Sequence, residues 1–130
     1  MVPSIFIVDD EPSLLEIFSA FITSLGYEIA AVASNGKAAI DMYTKMVNKP
    51  DLIIMDHRMP IKNGIEASAE ILAMNPRQKI IMVTADQNII EKAKIIGVVD
   101  IIMKPFEMAD FLGKITAMTG ASGRHDSVVG

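Results

Sequence analysis

The sequence contains no cysteine and few aromatic residues. Of its 130 residues, 5% are aromatic, and the sequence has two tyrosines but ten methionines. The absence of cysteine excludes disulfide bonds and thiolate metal sites, and it is compatible with the reducing cytoplasm in which we expect the protein to act. The many methionines predict a core that is mostly aliphatic and adaptable.

Long hydrophobic runs and an excess of basic residues are also missing. No segment approaches the roughly 18 consecutive apolar residues of a membrane helix. The apolar stretch near the start ends at Asp9, which is too early for a signal peptide. We therefore expect a soluble protein without a membrane partner. The net charge of -4 argues against non-specific nucleic-acid binding, which needs a basic surface, so we expect no direct nucleic-acid contact.

The residues that are present alternate between strand-like and helix-like patterns. Hydrophobic residues make up 51% of the sequence and charged residues 22%, which is typical of one globular domain. The predicted strands cover 4–8, 27–33, 52–55, 79–83 and 98–103, and the predicted helices cover 12–25, 38–47, 65–74, 87–96 and 106–118. Such alternation indicates an α/β fold, in which helices cover both faces of a parallel sheet. Residues 120–130 show no apolar period and are predicted to form a flexible tail.

Four of the apolar runs end in polar residues with useful chemistry. Asp9 and Asp10 follow the first predicted strand, Asp56 the third, Thr84 the fourth and Lys104 the fifth. Ligands of open α/β sheets bind outside the carboxyl ends of the strands. If these strands lie side by side, three carboxylates, a hydroxyl and an ammonium group meet at one edge of the sheet.

This ordered set of motifs resembles the receiver domain of two-component response regulators, the CheY-like family. The motifs are Asp9-Asp10, then Asp56 with Met59-Pro60 and Gly64, then Thr84-Ala85, and finally Lys104-Pro105-Phe106. Each motif is weak alone, but all four in order, each at a strand end, are highly specific. The resemblance covers residues 4–119. It implies a receiver domain over residues 1–119, followed by the tail 120–130.

The resemblance also implies a particular topology. Receiver domains have a doubly wound (βα)5 flavodoxin-like fold, a three-layer sandwich around a five-stranded parallel sheet with strand order 2-1-3-4-5. We expect this fold here, with right-handed crossover connections.

The three carboxylates predict a magnesium site. Neighbouring carboxylates repel and raise one another's pKa unless a cation intervenes, and oxygen ligands suit Mg²⁺. The resemblance implies that Asp10 binds Mg²⁺ directly and Asp9 mainly through water. It implies that Asp56 and the backbone carbonyl of Arg58 complete the site.

Asp56 is the predicted phosphoacceptor. A carboxylate that attacks a phosphoryl group forms an aspartyl-phosphate. Phosphoryl transfer depends mostly on positioning and charge neutralisation, which Mg²⁺ and Lys104 can supply. The hydroxyl of Thr84 and the N–H of Ala85 can donate to phosphoryl oxygens. The donor would be a sensor histidine kinase, a histidine phosphotransfer protein or a small acyl phosphate.

The same residues predict a switch. A phosphoryl group adds about two negative charges, and it should pull Thr84 and Lys104 inward. In the family this repacks the face of the fourth helix, fifth strand and fifth helix, which then binds a downstream effector or a second copy of the receiver. The family usually has Tyr or Phe three residues before the lysine, whereas this chain has Ile101, which cannot make the same aromatic swing.

Three further residues, Arg58, Asp86 and His57, lie close in sequence to the residues of the predicted site. In the family, the positions of Arg58 and Asp86 gate the attack of water on the phosphoryl group. We predict that these two side chains pair across the site and slow hydrolysis. His57 is expected to be packed or solvated and not to be a metal ligand or a phosphoacceptor.

Three other functions stay open at this point. A flavin-binding electron carrier shares the fold class, but it needs a Gly- and hydroxyl-rich phosphate loop where this chain has Asp9-Asp10-Glu11. A Mg²⁺-dependent phosphohydrolase often carries Asp-x-Asp after the first strand, and this chain has adjacent aspartates. A scaffold that is not phosphorylated would be expected to lose Asp56 or Lys104. We therefore predict a signalling domain, not an enzyme, that catalyses its own phosphorylation and dephosphorylation.

Overall fold

The predicted alternation of strands and helices is present in the computed structural model, which describes residues 2–120. The strands are β1 (Ser4–Val8), β2 (Glu28–Ala33), β3 (Leu52–Asp56), β4 (Ile80–Thr84) and β5 (Asp100–Met103). The helices are α1 (Pro12–Ser24), α2 (Gly36–Lys45), α3 (Gly64–Met74), α4 (Ile90–Ile96) and α5 (Met108–Thr119), and a short 3-10 helix (Gln87–Ile89) precedes α4. Residues 121–130 of the predicted tail lie outside the described residues.

The five strands form one parallel sheet in the order β2-β1-β3-β4-β5. This order confirms the predicted flavodoxin-like topology. The central strands β3 and β4 are buried along their whole length. Burial on both faces explains why their sequences are continuous apolar runs without the alternation of a half-exposed strand.

The core consists of two layers, one on each face of the sheet. Alternate strand residues contribute to each layer, because successive side chains of a strand point to opposite faces. On one face, Phe6 and Ile53 belong to a cluster with residues of α2, α3 and α4. On the other face, Ile7 and Ile54 pack with residues of α1 and α5. The molecule is therefore the predicted three-layer sandwich.

Several element boundaries differ from the prediction. Helix α2 begins at Gly36, two residues before the predicted start, because the Asn35 side chain accepts a hydrogen bond from the N–H of Ala38 at 2.8 Å and caps the helix. The predicted fourth helix is divided into the 3-10 turn and α4. Helix α5 begins at Met108, with Glu107 as its N-cap residue, and residues 104–107 connect it to β5. The peptide bond between Lys104 and Pro105 is cis. Within residues 2–120, no helix has the length and apolar character needed to cross a membrane.

Candidate functional site

The carboxyl ends of four adjacent strands meet at one edge of the sheet. The strand register pairs Val8 with Met55, Asp56 with Val83 and Thr84 with Met103. Residues that follow these positions therefore share the same edge. The structure brings together the side chains that sequence reasoning selected, namely Asp9, Asp10, Asp56, Thr84 and Lys104.

Three carboxylates form an acidic cluster at this edge. One oxygen from each of Asp9, Asp10 and Asp56 lies within 4.8 Å of the others. Asp9 and Asp56 are only 3% and 4% exposed, whereas Asp10 is exposed to solvent. The N–H of Glu11 donates to Asp9 Oδ1 at 2.9 Å and holds that carboxylate in place. The cluster thus offers preformed oxygen ligands with one open side.

Burial makes the negative charge of this cluster unfavourable. It raises the pKa of Asp9 to about 6, and the nearby charges of Asp56 and Asp10 act in the same direction. Burial also raises the pKa of Asp56, although the hydrogen bond and charge of Lys104 oppose the shift. A divalent cation would favour the ionised carboxylates, and hard oxygen ligands suit Mg²⁺. The residues present therefore fit a magnesium ion.

Lys104 supplies the positive charge of the site. Its Nζ donates to Asp56 Oδ1 at 2.8 Å, and its side chain is 30% exposed. Burial by itself would lower the pKa of Lys104, but the hydrogen bond and charge of Asp56 outweigh burial and raise it. The ammonium group is therefore charged and lies against the predicted phosphoacceptor.

Two contacts position Lys104. Its backbone N–H donates to the carbonyl of Thr84 at 2.8 Å, which ties the β5–α5 connection to the end of β4. Phe106, two residues further on, stacks against Phe111 of α5 with ring centroids 5.3 Å apart, and Phe111 in turn stacks against Phe18 of α1 at 4.8 Å. The lysine thus projects from a connection that is anchored to two helices.

Thr84 is buried at the end of β4, and its hydroxyl faces the following connection. Thr84 Oγ1 accepts a hydrogen bond from the N–H of Asp86 at 2.9 Å. Ala85, between them, is exposed. Because the hydroxyl is the acceptor in this bond, its own O–H stays available to donate to a second partner.

The predicted pair of Arg58 and Asp86 is absent from this structure. The four ion pairs found among residues 2–120 do not include either residue. The Asp86 side chain instead accepts a hydrogen bond from the N–H of Asn88 at 2.9 Å and caps the 3-10 turn. Local capping satisfies this carboxylate without an arginine partner. The roles of Asp86 and of the Arg58 carbonyl remain predictions.

Sequence reasoning missed the close approach of α3 to the end of β3, the strand that carries the predicted phosphoacceptor Asp56. The N–H of Gly64 donates to the carbonyl of His57 at 2.8 Å. A Cβ atom on Gly64 would lie 2.5 Å from the Asp56 carbonyl oxygen and 2.7 Å from His57 Cα. A glycine in the first turn of a helix is a signal for such an approach, because glycine disfavours helix formation. His57 itself is half-buried, and burial lowers the pKa of its imidazole.

Comparisons with known proteins identify the family. The sequence model of the response regulator receiver domain matches residues 5–116. The chemotaxis protein CheY of Thermotoga maritima is 39% identical over 105 residues, which cover 79% of this chain and 86% of that protein. Protein CcdB of Bacillus subtilis is 37% identical over 118 residues, which cover 89% of this chain and 97% of that protein.

A solved structure with the same fold contains magnesium. It is the receiver domain of a sensor histidine kinase from Pseudomonas aeruginosa, with a magnesium ion coordinated in its active-site cleft. It is 30% identical to this chain, with a TM-score of 0.80 and coverage of 92% of this chain and 99% of that chain.

The chain therefore belongs to the response regulator receiver domain family. It is similar to CheY proteins, and it is a signalling domain of the phosphorelay type. This membership confirms the predicted family and sets aside the flavin carrier and the phosphohydrolase.

Proposed function

We propose that this receiver accepts a phosphoryl group on Asp56 in a magnesium-dependent reaction. The observation that carries the proposal is the position of Lys104 Nζ, 2.8 Å from Asp56 Oδ1, beside the acidic cluster of Asp9, Asp10 and Asp56. A buried carboxylate with a fixed ammonium neighbour and two further carboxylates fits a nucleophile that works with a metal ion. The Pseudomonas receiver, with Mg²⁺ in its cleft, supports this choice of metal.

Each residue of the site has a proposed role. Asp9, Asp10, Asp56 and the backbone carbonyl of Arg58 would hold Mg²⁺, which when bound supplies positive charge near the phosphoryl oxygens. An oxygen of Asp56 attacks phosphorus. Lys104 and the hydroxyl of Thr84 donate to phosphoryl oxygens and stabilise the charge that develops there.

The proposed donors are a sensor histidine kinase, a histidine phosphotransfer protein or a small acyl phosphate. With phosphohistidine, the phosphorus–nitrogen bond breaks and the imidazole leaves and takes up a proton. With an acyl phosphate, the phosphorus–oxygen bond breaks and a carboxylate leaves. Hydrolysis then returns Asp56 and releases phosphate. The side chains proposed to react or to stabilise charge all lie on this chain, so the receiver would catalyse both steps on itself. The proposed location of this reaction is the cytoplasm.

The proposed output face consists of α4, β5 and α5. Thr84 is the last residue of β4, which leads towards α4, and Lys104 directly follows β5, which leads towards α5. Both residues would bind the phosphoryl group. Only Ala93 of α4 is buried, while Ile95 and Val99 are 80% and 43% exposed. A short helix with few buried contacts can shift at low cost. We propose that this face binds a downstream effector protein, or a second copy of the receiver, according to phosphorylation.

The proposal is tested by the intact mass of the protein after incubation with acetyl phosphate and Mg²⁺. The expected result is a gain of one phosphoryl group, which is lost without metal and in Asp56→Asn. Asp51→Asn, which changes an aspartate at the opposite edge of the sheet, is the matched control and should still be labelled. The absence of an adduct, together with failure to bind the phosphoryl mimic beryllofluoride, would favour the unphosphorylated scaffold instead.

A further inference from the structure

A polar cavity of about 260 Å³ lies at the edge of the sheet opposite Asp56. It opens where the chain enters β3 and β4 and where α5 ends, and its lining includes Asp51, Lys79 and Thr119. Strand β3 spans five residues between the two edges, so the cavity lies roughly 15 Å from the acidic cluster. It is therefore separate from the site of the proposed phosphorylation.

Positive charge accumulates around this cavity. Lys49, Arg77 and Lys79 line it together with one carboxylate, that of Asp51, so that three positive charges and one negative charge give a local formal charge of +2. None of the three cations belongs to the ion pairs formed within 4.0 Å among residues 2–120. Asp51 accepts a hydrogen bond from the N–H of Ser4 at 2.7 Å. This concentration of cations stands out in a chain with a net charge of -4.

Two of the cations are held in place before any ligand arrives. Lys49 Nζ donates to the carbonyl of Tyr43 and lies 4.4 Å from the centroid of the Tyr43 ring. Lys79 Nζ donates to the carbonyl of Met118 at 2.9 Å and offsets the negative end of α5. An ammonium group has three N–H donors, so each lysine keeps donors for a ligand. Fixed side chains lose less entropy on binding than free ones.

The cavity also has a rigid polar wall. Gln78 is only 5% exposed, and it accepts a hydrogen bond from the Tyr43 hydroxyl at 2.8 Å while donating to the Pro50 carbonyl at 3.0 Å. Asn75 donates to the same hydroxyl at 3.0 Å and accepts from the N–H of Arg77 at 3.2 Å. This network joins the backbone segments that carry Lys49, Arg77 and Lys79, and the three side chains line the same cavity.

We propose that this cavity binds a small polyanion of the phosphate class, such as inorganic phosphate, pyrophosphate or the phosphate group of a metabolite. The planar guanidinium of Arg77 matches two phosphoryl oxygens, and the two lysines act as point charges. The volume is below the roughly 300–1,000 Å³ of pockets for larger ligands, which favours a small anion. The proposal does not depend on phosphorylation of Asp56.

An NMR titration of the ¹⁵N-labelled full chain tests the site. Pyrophosphate and inorganic phosphate are added without metal, so that no cation links the anion to the acidic cluster, and sodium chloride keeps the ionic strength constant. The expected result is a saturable shift of the Gln78 side-chain amide and of the backbone amides of residues 77–79 and 118–119. The amides of Asp9 and Asp56 should not follow the same curve.

A pair of charge-matched variants separates a site from general attraction. Arg77→Gln should raise the pyrophosphate Kd about tenfold, as expected for the loss of a charge-assisted hydrogen bond. Lys92→Gln, an equal change of charge at an exposed position of α4 outside the cavity, should leave the Kd within about twofold. Equal effects of the two variants, or shifts that do not saturate, would overturn the proposal. Binding of citrate as tight as that of pyrophosphate would overturn the assignment to phosphates.

Discussion

At the scale of single residues, the ion pair between Lys104 and Asp56 balances part of the charge in the site. Their atoms lie 2.8 Å apart although 48 residues separate them in the chain. The side chain of Asp56 is 5% exposed, so water screens this pair less than a surface pair. Within residues 2–120, Lys104 is the only cationic side chain that forms an ion pair with the cluster. Loss of this lysine would therefore leave the three carboxylates without a paired positive charge.

Lys104→Ala is expected to slow labelling by acetyl phosphate about 10²-fold, because one preorganised donor to the developing phosphoryl charge is lost. The rate is measured by intact mass at saturating Mg²⁺. Lys114→Ala removes another lysine, which pairs with Asp100 at 2.9 Å away from the acidic cluster, and it should be labelled at the wild-type rate. A wild-type rate in Lys104→Ala would exclude a role for this ammonium in the transfer.

Asp9 connects the site to the pH dependence of stability. Its pKa is raised from 3.8 to about 6 by burial and neighbouring carboxylates. Between these two pH values the folded protein binds more protons at this position than the unfolded chain does. The contribution of Asp9 to stability is therefore favourable at low pH and is lost as pH rises through 6, by about 3 kcal/mol in total.

Asp9→Asn should consequently stabilise the metal-free protein at pH 7.5 by about 1–3 kcal/mol, and this gain should vanish below pH 4. Urea unfolding followed by circular dichroism, in the presence of a chelator, measures the difference at each pH. Asp41→Asn is the control, since its exposed carboxylate pairs with Lys37, which lowers its pKa, and it should not stabilise the protein. If Asp9→Asn destabilised the protein at pH 7.5, the expected effect of the raised Asp9 pKa on stability would be contradicted.

At the scale of elements, α3 presses its first residue against the end of β3. Gly64 lies so close that an added Cβ would overlap the carbonyl of Asp56 at 2.5 Å. Asn63 and Glu66 form a capping box that fixes the start of the helix at this point. The N–H of Gly64 donates to the carbonyl of His57 at 2.8 Å, so the capped start of α3 is bonded to the end of the strand that carries Asp56.

Gly64→Ala is expected to destabilise the protein by about 1–3 kcal/mol through overpacking and to slow phosphorylation by displacing Asp56. Gly113→Ala provides the contrast, because a Cβ at that position of α5 has nothing within 4 Å. The Gly113 variant should gain about 0.5–1 kcal/mol from improved helix propensity. Urea unfolding and intact mass measure the two effects, and equal stability of the two variants would refute the close approach.

The elements show where local sequence predicts structure and where it does not. The bounds of β1 and the order of all five βα units are as predicted. The prediction that the fourth helix begins at residue 87 was wrong. The Asp86 cap favours a 3-10 turn over residues 87–89, and α4 begins at Ile90. Strand β5 begins at Asp100, two residues late, because pairing with β4 starts there. Periodicity identifies the element, whereas caps and pairing partners set its ends.

At the scale of the whole molecule, a bound cation would link stability to magnesium concentration. The cluster of Asp9, Asp10 and Asp56 is assembled only in the folded chain, from the ends of β1 and β3. A ligand that binds only the folded state stabilises it in proportion to the logarithm of its concentration. Stability should therefore report metal binding independently of any phosphorylation.

Mg²⁺ at 100 times its Kd is expected to raise the free energy of unfolding by about 2.7 kcal/mol. Asp10→Asn should lose most of this effect, since it removes a carboxylate of the cluster. Asp10 is exposed, so the variant should still fold without metal. Thermal unfolding with and without Mg²⁺ measures the shift, and an equal response of both proteins would remove Asp10 from the metal site.

The sequence by itself determined the fold class and most of the candidate site. Alternating patterns and the residues that end each apolar run are local features, and in a parallel sheet those ends must share an edge. Tertiary structure decided the contacts between distant segments. It set the direct 2.8 Å contact between Lys104 Nζ and Asp56 Oδ1 and pressed Gly64 against the strand. It formed no ion pair between Arg58 and Asp86, and it gathered Lys49, Arg77 and Lys79 around one cavity. These outcomes depend on packing distances and on competing local hydrogen bonds, which spacing along the chain does not encode.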